Sequence, residues 1–312
     1  MANMNLRKRM VLAKTEPVEG ADSLPVVETD AVLCGDIEIG PLEGEYKERN
    51  IITPFFGSKA KALLGKHVAI SFSTELAGMQ ALGVPTPGLS AMHRCSGLSE
   101  NITASTKVDY KLVETGHESS TIYFNIDGVL HKLTGARGNG TIMFKANDWP
   151  SIKWEVMGLF NAVIDAPAGT PDYSLFKEPV EVNSSNTVNI AIHGHTAAVM
   201  ASLEVNMGYE LKHRDYPGGV EAIRVLDRQS SGSLSIESDK VGDKDWWTIC
   251  QAGTQGPVTL THGPAGNQAV ITLDATQLTE PKYGDSDGIA TLDTSVNILS
   301  NITTGGMTLT YQ

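Results

Sequence analysis

The feature that most constrains the fold of this chain is an alternation of apolar and polar residues with a period of two, which recurs along most of its length. Val68, Ile70 and Phe72 alternate with small or polar residues, and residues 151–156 show the same pattern. Because successive side chains of a strand point to opposite faces, this pattern predicts half-buried strands rather than amphipathic helices. Further strand candidates are residues 120–127, 140–146, 203–212, 232–237, 257–262, 269–273 and 289–298.

Two short helices are predicted, at comparable places in the two halves of the chain. The first covers about residues 89–96, after prolines that limit an earlier start. The second covers about residues 244–251, with Asp243 placed to cap its free amides and Asp245 favourable beside the helix dipole. Many strands with two lone helices predict β-sandwiches that each carry one packed helix.

The two halves also show a weak internal repeat. Residues 36–50 parallel residues 202–215 when one residue is gapped. A loop and a second strand follow in each half, at 68–76 and 233–237, and then the predicted helix. The matched order indicates duplication of one β-rich unit.

We therefore expect a mainly β protein with two tandem β-sandwich domains, each with one short flanking α-helix and a long hairpin loop. Residues 165–172 and 182–187 are rich in the Gly, Pro, Asn and Asp of turns and linkers. The first 30 residues contain too few apolar side chains to fold as an independent domain. The expected divisions are an N-terminal arm at 1–30, a first domain at 31–165, a linker at 166–190 and a second domain at 191–312.

Composition excludes several classes of function. With 36 acidic and 24 basic residues the net charge is −12, which disfavours a surface that binds duplex DNA by neutralising phosphates. No apolar run approaches the ~20 residues of a membrane-spanning helix, and the apolar segment near the N-terminus is too short for a secretory signal. Cys34, Cys95 and Cys250 are widely spaced, so we expect free thiols of a reducing cytoplasm.

Motifs for cofactors and metals are incomplete. Residues 57–67 resemble a phosphate loop, but seven residues separate the glycines instead of four, and His follows the lysine. His193 and His195 supply two metal ligands where a structural site needs about four. Residues 285–288 begin like a calcium loop but lack its bidentate glutamate. We expect neither a cofactor nor a metal.

Enzyme activity has no positive support in the sequence. The chain contains none of the motifs G-x-S-x-G, H-E-x-x-H or G-x-G-x-x-G after a strand. The pairs Glu43 with Glu45 and Glu204 with Glu210 could act as acid and base, yet residues two apart on a strand share a face, which favours a solvated charged stripe. A hydrolase would need a convergent acidic or Ser/His site.

A loop after residue 50 is unusually apolar for a surface segment. Exposed apolar patches mark contact sites, whereas a loop that folds back on its own domain would hide them. Both interpretations remain open at this point. The apolar residues are Ile51, Ile52, Pro54, Phe55, Phe56, Leu63 and Leu64.

Several blocks of sequence resemble the tail tube proteins (major tail proteins) of bacteriophages with long non-contractile tails, the siphophages. The resemblance implies a tail-tube-like β-sandwich with one flanking helix, which lines a channel and has a structural role without catalysis. The blocks are residues 6–14, 37–44, 48–57, 65–72, 123–137 and 171–177, with an echo at 283–288.

The resemblance also implies roles for particular residues. A long hairpin at 53–66 and an arm at 1–24 would bridge successive rings, and strands 36–49 and 202–214 would form the channel sheet. The implied hairpin contacts are Thr53, Pro54, Phe55, Phe56, Lys59, Lys61, Leu63 and Leu64. The implied arm contacts are Arg7, Lys8 and Arg9, and the candidate lumen residues are Glu43, Glu45, Glu204 and Glu210.

Assembly is expected to follow from the duplication. The simplest family members form rings from six single-domain chains, so a duplicated chain implies homotrimer rings with pseudo-sixfold symmetry, although six chains stay possible. Expected partners are further copies of the chain, a tape measure protein, tail-end proteins and, transiently and without sequence preference, the DNA that passes through. We expect assembly in the bacterial cytoplasm, a final place in the virion tail and no membrane binding.

A carbohydrate-binding or adhesion module of a virion is the alternative from another class. It would need exposed aromatic platforms. Trp246 and Trp247 lie on the predicted second helix, and Trp154 alternates toward the core.

Overall fold

The computed structural model describes residues 4–301 and 303–312, and in these residues the chain is mainly β, as predicted. Its two helices are α1 (Pro87–Cys95) and α2 (Trp246–Ala252). The nineteen strands are β1 (Arg9–Thr15), β2 (Ala31–Val32), β3 (Gly35–Glu48), β4 (Lys61–Glu75), β5 (Leu98–Thr103), β6 (Lys107–Leu112), β7 (Ser120–Ile126), β8 (Val129–Lys145), β9 (Ser151–Phe160), β10 (Ile164–Asp165), β11 (Thr187–Ile192), β12 (Met200–Asn206), β13 (Tyr209–Arg214), β14 (Ala222–Arg228), β15 (Ser231–Glu237), β16 (Gln255–His262), β17 (Ala269–Ser286), β18 (Ile289–Ile298) and β19 (Met307–Tyr311).

Eight antiparallel strands form what we call the main sheet, in the order β3-β4-β9-β8-β12-β15-β18-β17. The predicted alternation is confirmed, because Val68, Ile70 and Phe72 are buried on one face of β4. Neighbouring strands align their apolar residues in rows across this core face. One row consists of Thr74, Ile152, Ile142, Val205, Gly232, Val296 and Leu278.

Most of the remaining strands supply the other side of the core. The first parts of β8 and β17 leave the main sheet to pair with β7 and β16, which pair in turn with β1 and β11. Side chains of these strands, such as Val11, Ile122 and Val258, pack with the main-sheet residues in one buried cluster. The indole of Trp154 donates to the Thr74 hydroxyl at 2.9 Å inside this cluster.

The two halves of the chain follow the same order of pairing. The first contributes β3-β4-β9-β8 to the main sheet and the second contributes β12-β15-β18-β17, and each helix follows the second strand of its set. The halves join where residues 141–145 of β8 pair with residues 202–206 of β12. They join again where β6 pairs with β19. Strand β11 begins at Thr187, within the expected linker.

The helix ends differ from the prediction. Helix α1 begins at Pro87, since proline at the first helical position loses no intrahelical hydrogen bond. The prediction that Asp243 caps α2 is wrong: Asp245 is the cap, and its Oδ1 accepts from the Thr248 amide at 3.0 Å. Asp243 instead donates its amide to the Lys240 carbonyl in the preceding turn. Neither helix in the described part of the chain is long and apolar enough to cross a membrane.

The predicted strand at 203–212 is interrupted. Gly208 has a φ of 77° and divides it into β12 and β13. Strand β13 then pairs with β14 in a separate two-stranded hairpin.

The N-terminal segment also differs from the expected arm. Residues 9–15 form β1, which lies between β2 and β7, and Met10, Val11, Leu12 and Ala13 are all buried. A strand covered on both faces has a continuous apolar run, so it lacks the alternation used to find strands. Residues 1–3 of the expected arm lie outside the described residues.

Candidate assembly surfaces

The β3–β4 hairpin projects an exposed apolar tip. Its strands are joined by residues 49–60, where the side chains of Ile52 and Phe56 are fully exposed and that of Phe55 is 82% exposed. Thr53 and Pro54 are exposed beside them, so the tip does not fold back on its own domain. Large apolar side chains in water indicate a contact surface.

The base of this hairpin carries the other predicted contact residues. Leu63 and Leu64 lie in β4 opposite Tyr46 and Glu45, and Leu63 is half-buried while Leu64 is exposed. Lys61 is the first residue of β4. In the tip, Lys59 donates its ammonium group to the Ile51 carbonyl and so closes the loop. The predicted hairpin residues therefore all lie on the β3–β4 hairpin.

The main sheet ends on two open edges. Among the described residues β3 pairs only with β4, and β17 from Leu278 to Ser286 pairs only with β18. Unpaired edges of this kind present N–H and C=O groups that readily pair with another strand. The two open edges lie at opposite ends of the sheet, so one copy can present each of them to a different neighbour.

The face of the main sheet opposite the core, hereafter the polar face, is rich in acidic and small hydroxyl side chains. One row across it runs Lys145, Ser202, Ser235, Asp293 and Lys282. Acidic residues outnumber basic ones on this face. The acidic side chains are those of Glu38, Glu75, Glu155, Glu204, Glu237, Glu280 and Asp293, and the basic ones are those of Lys145, Lys153 and Lys282.

Hydrogen bonds and salt bridges hold the β13–β14 hairpin of the second half against the first half. Arg137, buried in β8, donates to the Ile223 carbonyl of β14 and forms a salt bridge with Glu19 at 2.8 Å. Arg224 of β14 reaches the same carboxylate at 3.2 Å. Burial acts to raise the pKa of Glu19, but hydrogen bonds and charge from Arg137 and Arg224 hold that pKa below its usual value.

Further contacts hold the β13–β14 hairpin against the first half of the chain. The Tyr209 hydroxyl donates to the Gly97 carbonyl at 2.8 Å, and Arg228 forms a salt bridge with Glu114. The hairpin contacts β4, β8 and β9. Sequence reasoning missed Arg137, Arg224 and Arg228, because their partners are distant in sequence and no motif marks them.

A family model of phage tail tube proteins matches residues 10–300. The chain belongs to this phage tail tube protein family. The match covers nearly the whole chain and confirms the resemblance found in the sequence. Tail tube proteins are structural components of the virion tail, and the family is not an enzyme family. No curated protein matches the chain.

The four candidate lumen glutamates of this tail tube protein do not lie together. Glu204 lies on the polar face of the main sheet, opposite Met143 of β8. Glu43 and Glu45 lie on the β3–β4 hairpin, and Glu210 lies on β13. Strands β4, β9 and β8 separate Glu43 and Glu45 of β3 from Glu204 of β12 in the main sheet.

The predicted arm residues of the tail tube protein lie at the start of β1. Lys8 forms a salt bridge with Asp127 at 3.3 Å, and the Arg9 guanidinium donates to the Ile37 carbonyl at 2.9 Å. Arg7 is exposed. The Asn5 amide also donates to the Asp127 carboxylate at 2.8 Å, so the described part of the N-terminal segment is bound to its own chain from Asn5 onward.

The weak metal and ligand motifs find ordinary structural partners. The His193 imidazole contacts the Thr276 hydroxyl at 3.1 Å, whereas His195 contacts Asp239 at 3.3 Å. Among the described residues no three His, Cys, Asp or Glu side chains are grouped as a metal site. The Asp285 carboxylate accepts from the Gly288 amide in a tight turn.

Three of the four tryptophans of the tail tube protein are at least half-buried. Trp154 and Trp246 are buried, and Trp247 is half-buried against Tyr283 with ring centroids 5.1 Å apart. Trp149 is the exposed one of the four tryptophans. One exposed tryptophan gives little support to the carbohydrate-binding alternative.

Proposed function

We propose that this chain assembles into homotrimer rings that stack into the siphophage tail tube, the channel through which DNA leaves the virion. The observation that carries the proposal is the main sheet with one open edge at each end, in a chain of the tail tube family. Pairing the edge of one copy with the opposite edge of the next satisfies their backbone groups. A head-to-tail contact of this kind closes into a ring when its rotation is suitable.

Three copies are proposed because each chain supplies two sets of four strands. The repeated pairing order supports two tandem tube-like units, and their division lies in the connection between β10 and β11. Each set takes the place of one single-domain subunit. A ring of three chains then has six similar sets around its channel, which is the pseudo-sixfold arrangement.

The polar face of the main sheet is proposed as the channel wall. Its acidic excess repels phosphate over a Debye length of about 8 Å in physiological salt, so the duplex stays centred and mobile. Glu204 belongs to this wall, while Glu43, Glu45 and Glu210 would lie at the rims that the two hairpins form. An excess of Lys and Arg along the channel of an assembled tube would contradict this assignment.

Stacking of rings is assigned to the tip of the β3–β4 hairpin and to the segment around Arg7, Lys8 and Arg9. Burying Phe55 and Phe56 against the next ring would remove large apolar surfaces from water, at about 1.5–3 kcal/mol for each side chain. Because stacking does not close on itself, tube length must be set by other proteins, for which a tape measure and tail-end proteins are proposed. Assembly would take place in the host cytoplasm.

Deletion of residues 54–64 tests the stacking role. The deletion should leave soluble subunits or single rings without long tubes, because the exposed apolar tip is lost while both open edges remain. Negative-stain electron microscopy of the purified protein provides the measurement. Unaltered long tubes from the deletion variant would refute the role of the hairpin.

A matched pair of milder variants separates the tip from a general loss of apolar surface. The double variant Phe55→Ser, Phe56→Ser should form shorter tubes or none. Val241→Ser, at an exposed position in the turn before α2, should leave them unchanged. If neither the wild-type protein nor the control forms rings or tubes, the proposed function fails.

A further inference from the structure

We propose that neighbouring copies in the ring meet through a repeat of the internal β8–β12 junction. Residues 282–286 of β17 would pair antiparallel with residues 36–40 of β3 in the next copy, with Tyr283 opposite Ile39. The inference rests on the proposed function and specifies its contact. The occupant of each open edge is thus a second copy of this chain.

The internal junction provides the template. Residues 141–145 of β8 pair with residues 202–206 of β12, and this contact places Ile142 opposite Val205 and Phe144 opposite Leu203. These four side chains are buried. The contact links the last strand of the first set to the first strand of the second set. The open edges belong to the same two positions in the repeated order, the first strand β3 and the last strand β17.

The register on β17 follows from its place in the repeated sheet. In the first set, the row through Thr141 continues to Lys153 of β9 and Ser73 of β4. In the second set, the row through Lys282 continues to Asp293 of β18 and Ser235 of β15. Ser73 and Ser235 lie two residues beyond the partners of the aligned residues Glu38 and Glu204. Lys282 therefore takes the place of Thr141, and the equivalent segment of β17 is 282–286.

The register on β3 follows from the repeat between the halves. Residues 36–40 align with residues 202–206, which puts Ile37 and Ile39 in the places of Leu203 and Val205. Ile39 pairs with buried Ile70 of β4, so its side chain lies in a row of the core face. A partner strand would extend this row by one more apolar residue.

Both segments are incompletely covered in the single chain. The side chain of Tyr283 is 66% exposed, and Ile37 and Ile39 are half-buried. In the proposed register Lys282 lies diagonal to Glu38 of the next copy. Diagonal side chains on one face of an antiparallel pair are within reach of each other, and opposite charges there are favourable.

The β13–β14 hairpin adds contacts outside the main sheet to the internal junction. It continues from β12 and contacts β4, β8 and β9 of the first set. In the ring, residues 41–48 and 61–67 of the β3–β4 hairpin would take the same course over β15, β17 and β18 of the neighbour. The tip at 49–60 then extends beyond these strands of the neighbour toward the next ring.

Strands β3 and β17 cannot reach each other within one chain. They form opposite edges of the main sheet, and seven strand spacings of about 4.8 Å place them roughly 34 Å apart along it. A disulfide requires Cα atoms within about 7 Å. A bond between residues 39 and 283 therefore forms only between copies.

Cysteine cross-linking tests the contact. In a Cys34→Ser, Cys250→Ser background, the pair Ile39→Cys with Tyr283→Cys should give covalent trimers on a non-reducing gel after mild oxidation of assembled rings. The control pair Ile39→Cys with Ile289→Cys places the second thiol at an exposed residue beyond the β17–β18 turn and should give far less trimer. Rings visible by microscopy without the specific cross-link would overturn the proposed junction and leave the ring function standing. No rings from the wild-type protein would overturn both.

A charge exchange tests the same register without relying on the cysteine variants. Lys282→Glu should raise several-fold the subunit concentration needed for rings, measured by mass photometry, because like charges then face each other across the junction. Adding Glu38→Lys should restore assembly. An equal defect in the single and double variants would contradict the register.

Discussion

At the scale of single residues, a buried polar cluster connects distant parts of the chain. His93 of α1 is fully buried, and its Nε2 lies 3.0 Å from the Tyr311 hydroxyl of β19. The His93 ring lies 4.2 Å from that of Tyr110, whose hydroxyl donates to Glu100 at 2.6 Å. Burial lowers the pKa of His93 from 6.5 to about 3, so the imidazole stays neutral in the folded protein.

This burial predicts a stability that depends on pH. Because the unfolded chain takes up a proton on His93 below about pH 6.5 and the folded chain does not, the free energy of unfolding should fall as the pH drops toward 3. The contribution of His93 between pH 8 and pH 5 is about 2 kcal/mol. Urea unfolding of the wild type and His93→Gln at several pH values measures it. Parallel pH curves for the two proteins would contradict the assignment.

At the scale of elements, a glycine sets the course of the β13–β14 hairpin. Gly208 separates β12 from β13 with a φ of 77°, and a Cβ there would lie 2.1 Å from the Gln229 carbonyl oxygen. The Gln229 amide donates to the Gly208 carbonyl at 2.9 Å, and the Asn206 side chain accepts from the Gly208 amide at 2.7 Å. The two strands of the hairpin are thereby held close at its base.

Substitution of this glycine should be costly. Gly208→Ala introduces both a left-handed alanine and a clash with backbone, and should lower the free energy of unfolding by more than about 3 kcal/mol. Gly218→Ala is the matched control, since its φ is 80° but no atom lies within 4 Å of the added Cβ, and it should cost about 1–2 kcal/mol. Urea denaturation compares the two. Equal losses would show that the close approach at Gly208 is unimportant.

At the scale of the whole molecule, the two halves hold each other by several contacts. The β8–β12 and β6–β19 pairings join them through backbone hydrogen bonds. The salt bridges of Arg137 and Arg224 with Glu19 add charged contacts at the β13–β14 hairpin. Each half alone would expose strand edges that the intact chain covers.

A split chain tests this mutual dependence. Fragments 1–168 and 169–312, divided in the exposed connection after β10, should copurify when they are expressed together and should unfold in one transition. A tag on one fragment and calorimetry of the complex provide the measurements. Two fragments that are soluble apart and do not associate would contradict the expectation.

Local patterns in the sequence predicted many of the strands and the two helices because those elements follow from neighbouring residues. The alternation of Val68, Ile70 and Phe72 predicted the core face of β4. The apolar composition of the loop around Phe56 left open whether the loop folds back on its domain, and the structure exposes it. The same local patterns failed for β1, which is covered on both faces, and for Asp243, because several nearby carboxylates are equally able to cap a helix. Of the candidate lumen residues, Glu204 lies on the polar face of the main sheet.

The sequence by itself determined a mainly β member of the tail tube family, since strand periodicity and family motifs are properties of short segments. Only the tertiary structure decided which strands are neighbours. Contacts such as His93 with Tyr311 and Arg137 with Ile223 join residues far apart along the chain, and no short pattern encodes them. The open edges of β3 and β17 are known only once every other pairing is in place, because an edge is defined by the partner that it lacks within its own chain.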